Sequence, residues 1–543
     1  MSRRKIKLLA IALPAVLLGL AIPACRDGIG GLDPESTLYW SLGTAGPKTI
    51  DPALNGATDG GDILSNLYEG LTREQAGVVK PGIAESWEFT DNDTTITFKL
   101  RDSKWSDGSK LTAHDFVYSW KRGMDPATAS EYAWIWEYTN VVGAQRAAEG
   151  EGSLDEVGIE ALDDNTLQVK VTRPTDYLVS LLSFYHFMPV KQSSVEAGPE
   201  GSWAIDPELA ISNGPFKLTS YTVGEGLTMR KNRNYWKADE VGLSAIEVAF
   251  IDNDTTAYTA YQAGEFDFLS EVPTAEIPKL AAENPEFYIF PLLGTYYYNF
   301  NLDLDMWKDE KVRRALALAI DREKITEIQA RGSVPASGFV PVGFVDHEGN
   351  DFAEVAAFLG TIPTDESGIE EAKRLLAEAG YPNGEGFPKF TIMYNTSETH
   401  KQVAEMVQEM WKTNLGIETD LENQEWAVFQ DTRKMGDYEL SRGGWLTDFM
   451  DPMGMLAIFM TENAYNDPNY YNSDFDALLS EANKTTGAAH FDALYLAEAI
   501  LMEDLPIVPV YHYTEIYLSS PQVKNWTRSV LSALDFSNAY LER

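Results

Sequence analysis

The chain has a single cysteine, Cys25, among 543 residues, so no intramolecular disulfide can brace it in any redox compartment. Positive charge is scarce as well. Lysine and arginine number 43 against 83 aspartates and glutamates, a formal net charge of −40 at pH 7. Such a surface repels phosphate backbones and anionic headgroups, which argues against nucleic-acid binding and against charge-driven docking on lipid. The six histidines are scattered, with no pair at metal-ligand spacing, so neither a metal nor a cofactor is expected. There is no Gly-Lys dipeptide and hence no P-loop, no complete G-x-G-x-x-G, and no G-x-S-x-G elbow. Carboxylates are too abundant to single out an acid–base dyad. An enzyme has no motif to rest on.

What is present begins with a three-zone leader. Met1–Lys7 is basic, Leu8–Ala21 is almost wholly apolar, and Ile22-Pro23-Ala24-Cys25 follows. The apolar run is short and interrupted by proline, and no later run is long enough to span a bilayer. This is the pattern of a secretory signal, and it resembles a bacterial lipobox, which implies cleavage before Cys25 and a lipid on its sulfur. An unlipidated signal peptide with an incidental cysteine is the plainer alternative. The whole chain is 44% hydrophobic and 12% aromatic, enough for several cores and about two to four domains.

Strands and helices alternate along the rest of the chain. Thr95–Arg101 alternates apolar and polar residues as a half-buried strand does. Thr112 caps a helix bearing Phe116, Val117 and Trp120 on one side. Leu162–Thr172 reads as a strand interrupted by a turn at Asp163-Asp164-Asn165. Lys311–Ile328 reads as one amphipathic helix, and Gly368–Ala379 and Glu398–Trp411 as two more. Lys389–Tyr394 and Ile417–Leu421 flank the last of these as strands, giving a βαβ unit. The pentapeptide Asp-Asn-Asp-Thr-Thr, starting at Asp91 and again at Asp252, reads as two loop turns.

Two stretches carry a more specific signal. The first runs through Pro81–Trp87 (PGIAESW), Trp105-Ser106-Asp107-Gly108 and Leu111–Phe116 (LTAHDF). The second is 423–452, NQEWAVFQDTRKMGDYELSRGGWLTDFMDP, preceded by Met393–Lys401 (MYNTSETHK). Together they resemble the extracytoplasmic solute-binding proteins of family 5, and most closely the oligopeptide-binding components of bacterial ABC importers. The resemblance implies an α/β fold of the periplasmic-binding-protein type II-like kind (cluster C), with two lobes, an extra inserted domain, and a ligand cleft between the lobes. Lobe I comprises 26–67, 192–293 and 516–543, the inserted domain 68–191, and the other lobe 294–515, after a signal peptide at 1–25. It further implies short peptides as ligands, an ABC permease as partner, a monomer, and a periplasmic or cell-surface location with a membrane anchor at Cys25. The same fold binding a cell-wall tripeptide, a nickel chelate or an oligosaccharide is the alternative, and a peptidase or surface adhesin lies further off.

A short peptide is a zwitterion, so a site for many sequences needs an anion for the ammonium, cations for the carboxylate, and free backbone groups. Asp448, between Trp445 and Phe449, is an ionisable group in aromatic surroundings; by resemblance it binds the ammonium, and otherwise it caps a loop. Arg442 matches the family's carboxylate-binding arginine, with an interdomain salt bridge as the alternative. His400, in the first turn of a helix, matches a histidine that receives the carboxylate of longer peptides; unaided it reads as a surface capping histidine. Trp426 and Arg433 lie two helical turns apart on one face and match cleft residues, although Trp426 alone would read as core. Tyr132 and Trp445 are expected at the cleft. So are Tyr511 and Tyr513, though both could equally be packing. Gly444 has no side chain to obstruct backbone pairing with a ligand. Two departures stand out. Asn299 occupies a position where the family often has glutamate, and the lysine serving the shortest ligands has no equivalent near Ile328–Gly332, where Arg331 could substitute.

Overall fold

The computed structural model describes residues 32–543 apart from 76–77, 176 and 532. Cys25 and the leader lie outside the described residues. The principal sheet has eleven strands in the order Phe216–Thr222, Gly226–Lys231, Ala245–Ala249, Thr37–Ser41, Phe268–Leu269, Ile507–Ser519, Phe287–Phe300, Leu440–Leu446, Phe390–Asn395 and Thr419–Gln424; short Val334–Pro335 pairs beside Ile507–Ser519. It is mixed, as expected of an α/β fold. Thr37–Ser41 is parallel to both its neighbours, and Phe390–Asn395 likewise. These two parallel groups lie on opposite sides of a long antiparallel pair, Phe287–Phe300 with Ile507–Ser519. The register of that pair breaks between Pro291 and Thr295. Proline has no N–H to donate to a ladder, and such a break lets a strand bend as it passes from one group to the other.

A separate four-stranded antiparallel sheet is built from Ala84–Thr90, Thr95–Leu100, Thr166–Lys170 and Ile159–Asp163. The helix Ala113–Met124 packs on it through Phe116 and Trp120, fully buried beside Trp136 and Phe187. Its start is legible in the sequence, because Thr112 and Asp115 form a reciprocal capping box. The stretch expected as Leu162–Thr172 is in fact a hairpin of Ile159–Asp163 and Thr166–Lys170 about the expected turn.

Two expectations are corrected. Lys311–Ile328 is not one helix but two, Glu310–Leu318 and Arg322–Gln329. Asp321 caps the second by accepting from Lys324 N, and Thr364 O accepts from Arg322 N and Glu323 N, so a tertiary contact ends the first helix. The repeated pentapeptide also splits. Asp91, Asn92 and Asp93 make a turn at positive φ, whereas Asn253 caps the helix Asp254–Gln262. Identical residues take the structure that their neighbours permit. No helix among the described residues is long and apolar enough to cross a membrane.

Candidate functional site

The C-terminal ends of the two parallel groups face one another, and the space between them is a cavity of about 370 Å³. Crevices beyond the carboxyl ends of parallel strands are where α/β folds place ligands, since loops and helix N-termini converge there. One wall follows Thr37–Ser41 and Phe268–Leu269, with Thr44, Asp59 and Glu271; the other follows Phe390–Asn395 and Leu440–Leu446. Tyr132 and Tyr185 also line it.

All nine residues read as ligand-facing line this cavity: Tyr132, His400, Trp426, Arg433, Arg442, Gly444, Trp445, Asp448 and Tyr513. Tyr511 and Arg331 line it too. Strand alternation presents Arg442, Gly444 and Leu446 to the cavity, half-buried, with Gly443 and Trp445 buried between them. The neighbouring Phe390–Asn395 strand pairs with this one only at Leu440 and Ser441, so from Arg442 to Leu446 one backbone edge is free. Gly444 has a second reason to be glycine. A Cβ there would run into the Tyr513 hydroxyl and crowd Arg442 Nη2, breaking the hydrogen bond that those two groups make.

Asp448 follows two residues after the strand and is 4% exposed. Its Oδ1 accepts from the Tyr132 hydroxyl at 3.2 Å, and its Oδ2 has no partner. Around it, Trp445 lies 4.9 Å from Tyr465 and 6.4 Å from Tyr132 between ring centroids, and Tyr132 lies 5.2 Å from Phe184. Burial pushes the Asp448 carboxyl well above the usual range, and the hydrogen bond from Tyr132 offsets this in part. An anion held so dry requires a cation.

Arg442 is the reverse case. Its Nη2 donates to Tyr513 Oη at 2.5 Å, its Nη1 reaches Asn395 Oδ1 at 3.5 Å, and its Nε is unpartnered. Its guanidinium lies 5.2 Å from the Tyr296 ring centroid. No carboxylate pairs with it among the described residues, in a chain with nearly twice as many acids as bases. His400 sits in the first turn of the helix Glu398–Leu415, which Ser397 caps, and its ring is 5.6 Å from Tyr296. Burial first, then Arg442 and Arg331, hold the imidazole well below its ordinary pKa, so it is neutral at pH 7 and donates without adding charge.

Other bases of the cavity are already occupied. Arg433 Nε is 2.9 Å from Asp467 Oδ2, and Arg331 forks onto both oxygens of Glu271 at 2.9 and 3.0 Å. The expectation that Arg331 substitutes for the absent lysine is therefore corrected, because Glu271 holds it. Asn299 is buried against Ser441 Oγ and does not line the cavity.

Sequence reasoning missed Tyr185, Tyr465, Asn395 and the opposite wall. Asp59 on that wall accepts from Gly60 N and, at 3.4 Å, from Thr44 Oγ1, and burial raises its carboxyl to about 6. Nothing local marks these residues. The fold brings them to the cavity from separate segments of the chain.

A family model described as bacterial extracellular solute-binding proteins, family 5, matches residues 78–467. The oligopeptide-binding protein OppA of Bacillus subtilis is 33% identical over 97% of this chain and 98% of its own length. Haemophilus influenzae OppA in complex with the peptide RPPGFSPFR superposes with a TM-score of 0.86 at 33% identity, over 94% of this chain and all of that one. The Escherichia coli murein tripeptide-binding protein MppA gives 0.87 at 32% identity, over 94% and 99%. Against MppA in its unliganded open form the score falls to 0.63, at 32% identity over 94% and 98%. The chain thus superposes less well on that open form than on the other two structures.

Proposed function

The chain belongs to the bacterial extracellular solute-binding proteins of family 5, and from that membership we propose that it is the substrate-binding subunit of a peptide ABC importer. It grips short peptides by both termini and by the main chain, and delivers them to a membrane permease. The observation that carries this reading is the pairing of Asp448 Oδ2, a buried oxygen without a partner, with Arg442, the lining base without an acidic partner. A zwitterion supplies the missing charge to each. Six residues of extended chain separate the two by at most about 20 Å, and the arginine side chain shortens that span. About three to five peptide residues fit along it. The free edge from Arg442 to Leu446 offers the peptide backbone a strand to pair with.

In this reading lobe I is 26–67, 192–293 and 516–543, the other lobe is 294–515, and 68–191 is the inserted domain. The register break between Pro291 and Thr295, next to the 293/294 boundary, supports a hinge there. The lobes close on the peptide, and the permease recognises the closed form. The protein acts as a monomer that binds without cleaving, held at the periplasmic or cell-surface side of a membrane by a lipid on Cys25. Stable anchoring requires more than one acyl chain.

Native mass spectrometry of the purified protein tests the ligand class. Short peptides released intact on denaturation are expected, whereas peptide fragments that accumulate on incubation would make it a hydrolase. Partitioning between detergent and aqueous phases tests the anchor: Cys25→Ser is expected to move the protein to the aqueous phase.

A further inference from the structure

The charges along the cavity do not balance for a peptide with neutral side chains. Of the basic residues that line it, Arg73 is committed to Asp535 at 3.0 Å, Arg331 to Glu271, and Arg433 and Lys434 to Asp467. One ammonium and one carboxylate from a ligand complete Asp448 and Arg442. Asp254 on the facing wall is still without a counter-charge. It is 5% exposed and lines the cavity, yet among the described residues its carboxylate accepts no hydrogen bond and joins no ion pair. The groups facing it are Asp252 on its own segment, Glu271 beyond the strand Phe268–Leu269, Glu398 on the helix of His400, and Arg331, which Glu271 already holds. Asn253 and Thr255 donate to Glu398 Oε1 at 3.2 and 3.3 Å, which fixes Asp254 at the His400 end of the cavity.

A first-turn aspartate is common because it complements the helix N-terminus. That role is met at the surface without burial or like-charged neighbours. A buried carboxylate without a partner, beside three others, is a binding group for a cation. We propose, resting on the peptide reading, that Asp254 is a subsite for a basic side chain in the C-terminal half of the ligand, so that the protein selects lysine- or arginine-bearing peptides. Burial and then Glu271 push the Asp254 carboxyl up to about 8. At pH 7 it is mostly protonated. A lysine ammonium, charged throughout this range, stabilises the ionised form, so binding expels a proton and tightens as pH rises from 6 to 8.

The test is calorimetry with tetra-alanine and with single lysine or norleucine substitutions at positions two, three and four, in the parent and in Asp254→Asn. Norleucine keeps the stem and removes the charge. At position three or four lysine is expected to bind about tenfold or more tighter than norleucine in the parent, a ratio that collapses to about twofold in the variant. In the parent alone, comparing buffers of different ionisation enthalpy at pH 7, lysine peptide is expected to release more protons than norleucine peptide. Equal ratios in both proteins, norleucine matching lysine at every position, or equal proton release overturns the subsite while leaving peptide binding intact. If neither tetra-alanine nor any of its variants binds the folded parent, the peptide reading falls and this inference with it.

Discussion

The two ends of the cavity handle charge in opposite ways. At one end Asp448 is enclosed by Tyr132, Trp445 and Tyr465, and a single phenol hydroxyl serves it. At the other, Arg442 lies among a tyrosine hydroxyl, an amide and an aromatic face, with the imidazole of His400 nearby. A dry end with one acceptor fixes a small cation in one place. An end with several donors accepts an anion at more than one position. In the proposed reading the difference lets one cavity hold peptides of different length: register is set at the ammonium, and the carboxylate is met wherever it falls.

If the dry end sets register, its loss should be the largest. Asp448→Asn keeps the shape and leaves a desolvated ammonium unpaired, at a cost of about 3–5 kcal/mol for peptides of every length. That is roughly two to four orders of magnitude in affinity by calorimetry. The adaptable end should lose less and depend on length. Arg442→Ala is expected to cost tripeptides about 1.5–3 kcal/mol and pentapeptides less, while His400→Ala shows the reverse order. Equal losses at all lengths would mean that neither residue is a length-specific anchor.

A smaller effect sharpens the contrast in the empty protein. The Asp448 carboxyl has a raised pKa in the folded state, so its contribution to stability is full below its unfolded value of about 3.9 and is lost as pH rises through the folded value. Asp448→Asn should therefore raise the melting free energy at neutral pH by about 1–3 kcal/mol, a gain that shrinks on acidification. Arg442→Gln should show no such acid-dependent gain. Thermal melts across pH separate the two.

Local chemistry accounts for what was legible. The capping box at Thr112 and Asp115 and the βαβ run from Phe390 to Gln424 can be read from short windows. The break before Arg322 was illegible because Thr364 makes it, from a distant segment. The identity of the free base was illegible for the same reason. Arg331, Arg433 and Arg442 look alike in sequence, and only the positions of Glu271 and Asp467 show that two of them are taken. Asp254 sits in a pentapeptide that also occurs as an ordinary turn, so its helix and its burial, not its sequence, distinguish it.

The central claim is that Asp448 pairs with a peptide ammonium, and a double-mutant cycle tests it most directly. One arm is Asp448→Asn, and the other is acetylation of the peptide N-terminus, which removes the same contact from the other side. Calorimetry on the four combinations, with circular dichroism to show the variant folded, gives the coupling. The account predicts strong non-additivity, with acetylation costing the parent heavily and the variant little. If Asp448→Asn binds free and acetylated peptide as tightly as the parent binds free peptide, Asp448 is structural and the assignment of the site is wrong.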